Sequence, residues 1–156
     1  MLGDPCKGKT IFMNTLSLQY THSPPPTTED IRFGQVKTNN EWRYYQLHEV
    51  GGNMPAEYRI TNVYPGTDAF MVVYEALDEQ TVEYLADLRK EIQYFSPDVP
   101  VMAVQSLLEW AETESTEASK ASLRQLGYQE VSKTLITDFD SCIGTIKSVA
   151  GMVQSD

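Results

Sequence analysis

The sequence is poor in cysteine, histidine and long hydrophobic runs, and each shortage excludes a class of protein. Its two cysteines, Cys6 and Cys142, are too few for a disulfide framework in a chain of 156 residues. The two histidines, His22 and His48, do not stand in a zinc-ligand spacing. No apolar stretch approaches the roughly 20 residues of a membrane-spanning helix. We therefore expect two free thiols in a cytoplasmic protein.

Positive charge is also scarce. Lysine and arginine together number 12 against 22 acidic residues, which gives a formal net charge of -10. An acidic surface repels nucleic-acid backbones and anionic membranes, so neither is expected as a partner. The chain has no signal peptide, no glycine at position two and no prenylation box at its end, so we expect no lipid anchor of its own.

The hydrophobic pattern alternates between strand-like and helix-like segments along the whole chain. Helices are predicted at residues 8–20, 79–95 and 113–126, after Asp138 or Asp140, and as a short irregular segment at 55–63. Strands are predicted at residues 31–37, 42–50, 69–74, 101–104 and 134–137, the first two joined by a turn at 38–40. This alternation predicts one α/β domain over residues 1–156 with a mostly parallel sheet.

A phosphate-binding loop is predicted at the start of the chain, where a glycine is followed after four residues by Gly-Lys-Thr. The loop residues are Gly3, Asp4, Pro5, Cys6, Lys7, Gly8, Lys9 and Thr10. Glycines allow backbone angles that direct N–H groups at phosphate oxygens, and the following helix adds its positive N-terminal end. Lys9 would reach the β- and γ-phosphates and the Thr10 hydroxyl would ligate Mg²⁺. The motif therefore predicts a nucleotide-binding protein.

The strand that normally precedes such a loop is almost absent, since only Met1 and Leu2 come before Gly3. Neighbouring strands without that partner would leave unpaired backbone groups, each costing about 1–3 kcal/mol if buried. Three explanations are open: missing upstream residues, a misassigned initiator methionine, or a fold that tolerates a vestigial first strand. We favour the first, and expect several apolar residues added upstream to raise the melting temperature.

A second phosphate-site segment runs from Glu49 to Asn53 and reads Glu-Val-Gly-Gly-Asn. Here a predicted strand ends in an acidic residue that is followed by two glycines. In phosphate-loop nucleotidases this geometry places a carboxylate near Mg²⁺ and a glycine N–H at the γ-phosphate. The simpler interpretation is a strand that runs into an ordinary Gly-Gly turn. The position some forty residues after Gly-Lys-Thr favours the nucleotide site.

Together these segments resemble the small GTPases of the Ras superfamily, and most closely the ADP-ribosylation-factor-like (Arf-like) branch. That branch carries Asp-Val-Gly-Gly-Gln where this chain has the segment from Glu49 to Asn53, and residues 68–74 resemble its next strand. The resemblance implies a three-layer P-loop NTPase sandwich with a mostly parallel sheet, whose first strand is missing or vestigial here. The light intermediate chains of dynein share a similar Glu-x-Gly-Gly feature and are a rival relative.

The resemblance also implies cofactors and residue roles. GTP or GDP would bind with Mg²⁺. Outside the loop, the nucleotide contacts would be Thr27 (or its neighbour Thr28), Gly51, Gly52 and Gln105. The metal contacts would be Thr10, Thr27 and Glu49. Asn53 stands where the family has the catalytic glutamine.

Three departures from the family pattern qualify these roles. Asn53 is one methylene shorter than glutamine, so hydrolysis should be slow or should need a residue from a partner. The guanine-reading Asn-Lys-x-Asp motif is replaced. Gln105 stands at the position of its asparagine and Leu108 at the position of its aspartate, and the nearest carboxylate, Glu109, comes one residue later. A missing carboxylate there would remove the main base discriminator. The family's Ser/Cys-Ala motif is also absent, and Thr137 begins the Thr-Asp pair in its place.

Three functions remain open on the sequence. The first is a GTP-dependent switch in which residues 27–29 and 51–58 respond to the γ-phosphate. Its protein effectors would bind the switch segments and the hairpin strands, where Trp42, Tyr44 and Tyr58 are candidates. The second is a degenerate GTPase fold that serves as an interaction module. The third is a phosphate-loop kinase, which ranks last because residues 107–132 offer only Lys120 and Arg124 for a basic lid.

Overall fold

The computed structural model describes residues 1–17, 29–109 and 117–153. The helices of this part are α1 (Lys9–Ser17), α2 (Ala56–Tyr58, continued by a π-helical segment Arg59–Val63), α3 (Glu79–Phe95), α4 (Glu117–Gln125) and α5 (Phe139–Met152). The strands are β1 (Glu29–Thr38), β2 (Glu41–Val50), β3 (Phe70–Tyr74), β4 (Val101–Leu107) and β5 (Glu130–Leu135).

Most predicted elements are confirmed, including the irregular helix at 55–63, but the bounds predicted for two strands, β4 and β5, are wrong. β4 continues to Leu107 because Gln105 and Ser106 are buried there with hydrogen-bonding partners, so polar residues extend a strand that the apolar run alone predicted too short. β5 runs over Glu130–Leu135 rather than over residues 134–137. It pairs with β4 alone among the described strands, so it is an edge strand of the parallel sheet. An edge strand tolerates polar side chains, and these obscure the start of β5 in the hydrophobic pattern. Residues 18–20 and 113–116 of two predicted helices lie outside the described residues.

β1 and β2 form the predicted antiparallel hairpin, with Thr38 opposite Glu41. The two turn residues, Asn39 and Asn40, have φ values of 50° and 67°. Both lie in the left-handed region, where asparagine is among the few non-glycine residues found readily, and this twist suits a two-residue hairpin. The turn chemistry of the sequence therefore sets the register of the hairpin.

Met1 and Leu2 join this hairpin to the parallel sheet β3-β4-β5. The Leu2 N–H donates to the Met71 carbonyl at 2.8 Å, and the Val73 N–H donates to the Leu2 carbonyl at 2.8 Å. On the other side, the Val50 N–H donates to the Met1 carbonyl at 3.1 Å. Met1 and Leu2 thus form a short strand segment between β2 and β3, and the spatial order is β1, β2, Met1–Leu2, β3, β4, β5.

Helices cover both faces of the parallel sheet, which confirms the three-layer sandwich. On one face α1 and α5 pack against β3 and β4, with Phe12, Met13 and Ile146 in the buried cluster. On the other face α3 and α4 contribute Leu85, Ile92 and Leu123 to a second cluster. In the described ranges, no helix combines the length and apolarity that a membrane crossing requires. The layers leave the carboxyl ends of the strands open, and that edge carries the phosphate loop.

Candidate functional site

The loop from Gly3 to Thr10 turns sharply between the Met1–Leu2 strand segment and α1. Gly3, Cys6 and Gly8 have φ values of 143°, 61° and 87°, so the chain passes repeatedly through backbone angles that favour glycine. A Cβ atom on Gly3 would lie 2.4 Å from the Val73 carbonyl oxygen. Such close approach leaves no room for a side chain, which explains the first glycine of the motif. The loop ends at the N-terminus of α1, where backbone N–H groups favour anions.

The Lys9 side chain folds back over this loop and is almost completely buried. Its Nζ donates hydrogen bonds to the Gly3 carbonyl at 2.7 Å and to the Asp4 carbonyl at 2.6 Å. Burial lowers the pKa of Lys9, while the nearby negative charges of Glu49 and Asp4 act in the opposite direction. The ammonium is therefore held against the loop backbone, and its contact with phosphate stays a prediction.

Thr10 and Glu49 meet across 39 residues of sequence, as a shared metal site requires. The Thr10 hydroxyl donates to Glu49 Oε1 at 2.6 Å, and Glu49 is only 4% exposed. Its second oxygen, Oε2, is buried and has no hydrogen-bond partner among the described residues. Burial raises the pKa of Glu49, and the Thr10 hydroxyl and the Lys9 charge oppose that rise. A half-satisfied buried carboxylate beside a hydroxyl suits a hard cation.

These two side chains fit Mg²⁺ as part of a shared coordination sphere. Within residues 1–17, 29–109 and 117–153, no three His, Cys, Asp or Glu side chains cluster closely enough to hold a metal by themselves. Mg²⁺ is commonly bound by one or two protein oxygens together with water and substrate phosphates. The Thr10–Glu49 pair is that kind of partial site, so its chemistry fits the ion. Thr27 and Thr28, the other predicted metal contacts, lie outside the described residues.

The two predicted phosphate elements also touch through their backbones. A Cβ atom on Gly52 would lie 2.2 Å from the Pro5 nitrogen and 2.5 Å from the Asp4 carbonyl carbon, so only glycine permits this contact. The structure thus brings Gly52 against the phosphate loop, and the contact of its N–H with a γ-phosphate stays a prediction. The neighbouring Asn53 is exposed. Its catalytic role stays a prediction.

An ion pair that the sequence did not reveal anchors the segment after Gly52. Arg59 donates to both carboxylate oxygens of Glu91 on α3, at 2.9 and 2.8 Å, and to the Met54 carbonyl at 2.7 Å. The Tyr64 hydroxyl also donates to Glu91. Bidentate pairing of this kind fixes orientation as well as distance. Arg59 and Glu91 are 32 residues apart, and no local pattern signals their contact.

At the end of β4, Ser106 contacts the phosphate loop and Gln105 does not. The Ser106 hydroxyl donates to the Lys7 carbonyl at 2.8 Å. Gln105 donates through Nε2 to the Glu75 carbonyl at 3.0 Å, and its buried Oε1 has no hydrogen-bond partner among the described residues. Successive strand residues point to opposite faces, so only one of the two can face the loop. The predicted nucleotide contact of Gln105 stays a prediction. Ser106 was missed.

The loops after β4 and β5 lie side by side next to Ser106. The Thr137 hydroxyl donates to the Leu108 carbonyl at 3.3 Å, and Glu109 is exposed beside it. Asp138 accepts from the Ser141 N–H at 2.7 Å and caps α5, so the Thr-Asp pair has a structural role at this edge. Both predicted base-reading segments therefore reach the same end of the sheet as the phosphate loop.

Comparison with known proteins assigns the family. A search among curated proteins finds no match. The sequence model of the Ras family matches residues 1–145, from the Met1–Leu2 strand segment into α5. The match covers the phosphate loop, the Glu49–Gly52 segment and the strand ends that carry Ser106 and Thr137. Because it spans far more than half of the sequence, the chain belongs to the Ras family, as a GTP-binding small GTPase.

Proposed function

We propose that this protein is a guanine-nucleotide-dependent switch of the Arf-like type that hydrolyses GTP slowly. The observation that carries the proposal is the junction of the two phosphate elements. Thr10 and Glu49 are joined at 2.6 Å, and Gly52 packs on Pro5 with no room for a side chain. A switch that senses a γ-phosphate needs this kind of contact between the loop that holds the phosphates and the segment that moves.

Each group at this junction has a distinct task. Thr10 and Glu49 would hold Mg²⁺, which neutralises phosphate charge when bound. Lys9 supplies a positive charge fixed by two loop carbonyls. The Arf-like assignment rests on Glu-Val-Gly-Gly-Asn from Glu49 to Asn53, which differs from that branch's Asp-Val-Gly-Gly-Gln only at its two ends.

Slow hydrolysis follows from the residue after the second glycine. Asn53 is exposed, and its amide is one methylene closer to the backbone than that of glutamine. An amide that cannot reach the attacking water loses the orienting effect on which GTPases of this kind depend. We therefore assign slow turnover to the isolated protein and faster turnover to a complex in which a partner supplies the missing group.

The position of Ser106 supports a guanine-reading motif that begins at this residue. If Ser106 takes the place of the family's asparagine, Glu109 falls three residues later, where the family has its aspartate. The hydrogen bond from Ser106 to the Lys7 carbonyl supports this register over one that starts at Gln105. A carboxylate at that place can accept two hydrogen bonds from guanine and none of the same kind from adenine, which gives selectivity.

Nucleotide titration tests the proposal. Purified protein with Mg²⁺ is titrated with fluorescent analogues of GTP, GDP and ATP, in parallel with Glu109→Gln. We expect guanine nucleotides to bind more tightly than ATP, and Glu109→Gln to reduce that preference by about tenfold or more, because a lost carboxylate contact is worth 1–3 kcal/mol or so. Glu83→Gln, on an exposed position of α3, is the matched control. Equal binding of ATP and GTP by the parent protein would contradict the guanine assignment.

A substitution of Glu49 should separate stability from metal binding. Glu49→Gln removes a buried, half-satisfied charge, so we expect the nucleotide-free protein to melt at the same or a higher temperature, with a gain of about 0–1 kcal/mol. Binding of Mg²⁺-GDP should weaken by about tenfold, because the amide is a poorer metal ligand. Thermal melting and titration with and without EDTA measure the two effects. A large fall in the melting temperature would show that Glu49 acts structurally instead.

An interaction module without nucleotide dependence is the second candidate, and the outer face of the hairpin favours it. Phe33 on β1 and Tyr44 on β2 are 76% and 83% exposed, and Trp42 is 60% exposed. Exposed aromatic side chains grouped on one face are typical of a protein-binding surface. Tyr58, in contrast, packs partly buried against the core and contributes less to that surface. If the protein binds none of the GTP, GDP and ATP analogues in the titration, this second function is favoured.

A further inference from the structure

A tight turn carries Gly52 and Asn53 against the phosphate loop. The Met54 N–H donates to the Gly51 carbonyl at 3.0 Å, so Gly52 and Asn53 are the two central residues of a four-residue turn. A Cβ atom on Gly52 would lie 2.2 Å from the Pro5 nitrogen. The one hydrogen bond within the turn fixes its shape but not its distance from the loop, so other contacts must hold it in place.

Arg59 connects this turn to α3. Its Nη1 donates to the Met54 carbonyl at 2.7 Å, while its Nε and Nη2 donate to the two carboxylate oxygens of Glu91 at 2.9 and 2.8 Å. The guanidinium is planar and rigid, so these three contacts set the direction of the Met54 carbonyl as well as its distance from α3. Arg59 thus joins the residue that follows Asn53 to a helix of 17 residues.

The Glu91 carboxylate is itself firmly held. It also accepts from the Tyr64 hydroxyl, and Tyr64 is buried and packs edge-on against Phe70, with 5.2 Å between the ring centroids. The Arg59 and Glu91 side chains are only 18% and 20% exposed, so salt and water screen their attraction weakly. Burial acts to raise the pKa of Glu91, but hydrogen bonds from Arg59 and Tyr64 outweigh it, and the pKa lies below its usual value. The charged carboxylate therefore gives the Arg59 side chain one favoured position.

We propose that Arg59, held by Glu91, is a positioning residue that places the turn from Gly51 to Met54 for the γ-phosphate and so raises the preference for GTP over GDP. The inference rests on the proposed function, in which the segment around Gly52 senses the γ-phosphate. A turn already in place binds that phosphate without losing further conformational freedom, whereas a loose turn must be ordered on binding. GDP has no γ-phosphate, so only the affinity for GTP depends on Arg59.

Paired titrations test the role of Arg59. A fluorescent, non-hydrolysable GTP analogue and the matching GDP analogue are titrated, with Mg²⁺, into the parent protein and into Arg59→Gln. We expect Arg59→Gln to bind the GTP analogue about tenfold more weakly and the GDP analogue within about twofold of the parent, because binding must then order one or two turn residues. Asp87→Asn is the matched control, since it removes an exposed carboxylate of α3 that pairs with Lys90, and it should leave both affinities unchanged. An equal loss for the two analogues, or no loss for either, would overturn the proposal.

Glu91 supplies a second variant. Glu91→Ala releases Arg59 from α3, so it should also weaken binding of the GTP analogue, and the double variant Arg59→Gln/Glu91→Ala should lose no more affinity than Arg59→Gln alone. Additive losses would contradict the positioning of Arg59 by Glu91. Circular dichroism checks that each variant is folded. If Arg59→Gln alone does not fold, because Glu91 is left unpaired, the double variant takes its place in the titrations.

Hydrogen exchange separates this inference from the proposed function. The Met54 N–H closes the turn, so its exchange rate, measured by NMR in protein without nucleotide, reports how firmly the turn is held. That rate should be about tenfold higher in Arg59→Gln than in the parent or in Asp87→Asn. A parent protein that binds no guanine nucleotide would refute the proposed function, and the exchange rates would still decide whether Arg59 positions the turn. Equal rates in the three proteins would refute that role.

Discussion

Replacing Lys9 by methionine is expected to weaken the binding of guanine nucleotides by about 100-fold or more. Methionine keeps much of the length and apolar volume of lysine but loses the charge that is fixed by the Gly3 and Asp4 carbonyls at 2.7 and 2.6 Å. Charge-assisted contacts to phosphate oxygens are worth about 1.5–3 kcal/mol each, and two such contacts account for that loss. Titration with a fluorescent GDP analogue in the presence of Mg²⁺ measures the change.

Lys7→Met is the matched control, because it removes a lysine of the same loop whose side chain makes weaker interactions than the Lys9 side chain. Lys7 forms an ion pair with Glu75 at 3.8 Å, and both side chains are partly exposed, so the pair contributes little. Its substitution should change affinity by less than about threefold. Since burial lowers the pKa of Lys9, the folded chain gains no stability from that charge, and Lys9→Met should not lower the melting temperature. Normal nucleotide binding by Lys9→Met would refute the role of the loop.

The elements that the sequence predicted well are those in which a local pattern has one physical solution. Asn39 and Asn40 fit the left-handed turn of a two-residue hairpin, and the structure has that turn. The glycine spacing of the loop predicted backbone angles that favour glycine, and at Gly3 a Cβ atom would clash with the backbone of β3. The irregular helix at 55–63 was also predicted, and the structure shows it as a short α-helix with a π-helical continuation. Each of these depends on a few neighbouring residues only.

The parts that the sequence could not predict depend on which face of an element meets a distant segment. Gln105 and Ser106 are neighbours, and only the position of the loop decides that Ser106 faces Lys7, 99 residues away. Arg59 and Glu91 lie on different helices, and each alone reads as an exposed charge. Thr10 and Glu49 were each predicted to contact Mg²⁺, but their direct hydrogen bond was not predicted, because spacing by itself does not place β2 beside α1. Long-range geometry of this kind requires the fold.

The second large effect is expected at Gly3, where alanine should destabilise the protein by about 3–5 kcal/mol. Its φ of 143° disfavours any side chain, and the added Cβ would lie 2.4 Å from the Val73 carbonyl oxygen. The loop would have to move away from β3 and pull on the Leu2–Val73 hydrogen bond of 2.8 Å. At about 2–4 °C per kcal/mol for a chain of this size, the melting temperature should fall by roughly 10 °C.

Two other glycines serve as controls that separate the steric clash of an added Cβ atom from the backbone strain of a positive φ. Gly66 also has a positive φ, 75°, but a Cβ atom there would meet nothing within 4 Å, so Gly66→Ala should cost only the strain of about 1–2 kcal/mol. Gly144 lies in α5 with the same open surroundings, and Gly144→Ala should stabilise the protein by about 0.5–1 kcal/mol. Thermal melts of the three variants should therefore order as Gly144→Ala, Gly66→Ala and Gly3→Ala, from highest to lowest. If Gly3→Ala and Gly66→Ala have the same melting temperature, the loop can move away from β3 at little cost in free energy. The close approach to β3 would then not explain why the first residue of the motif is glycine.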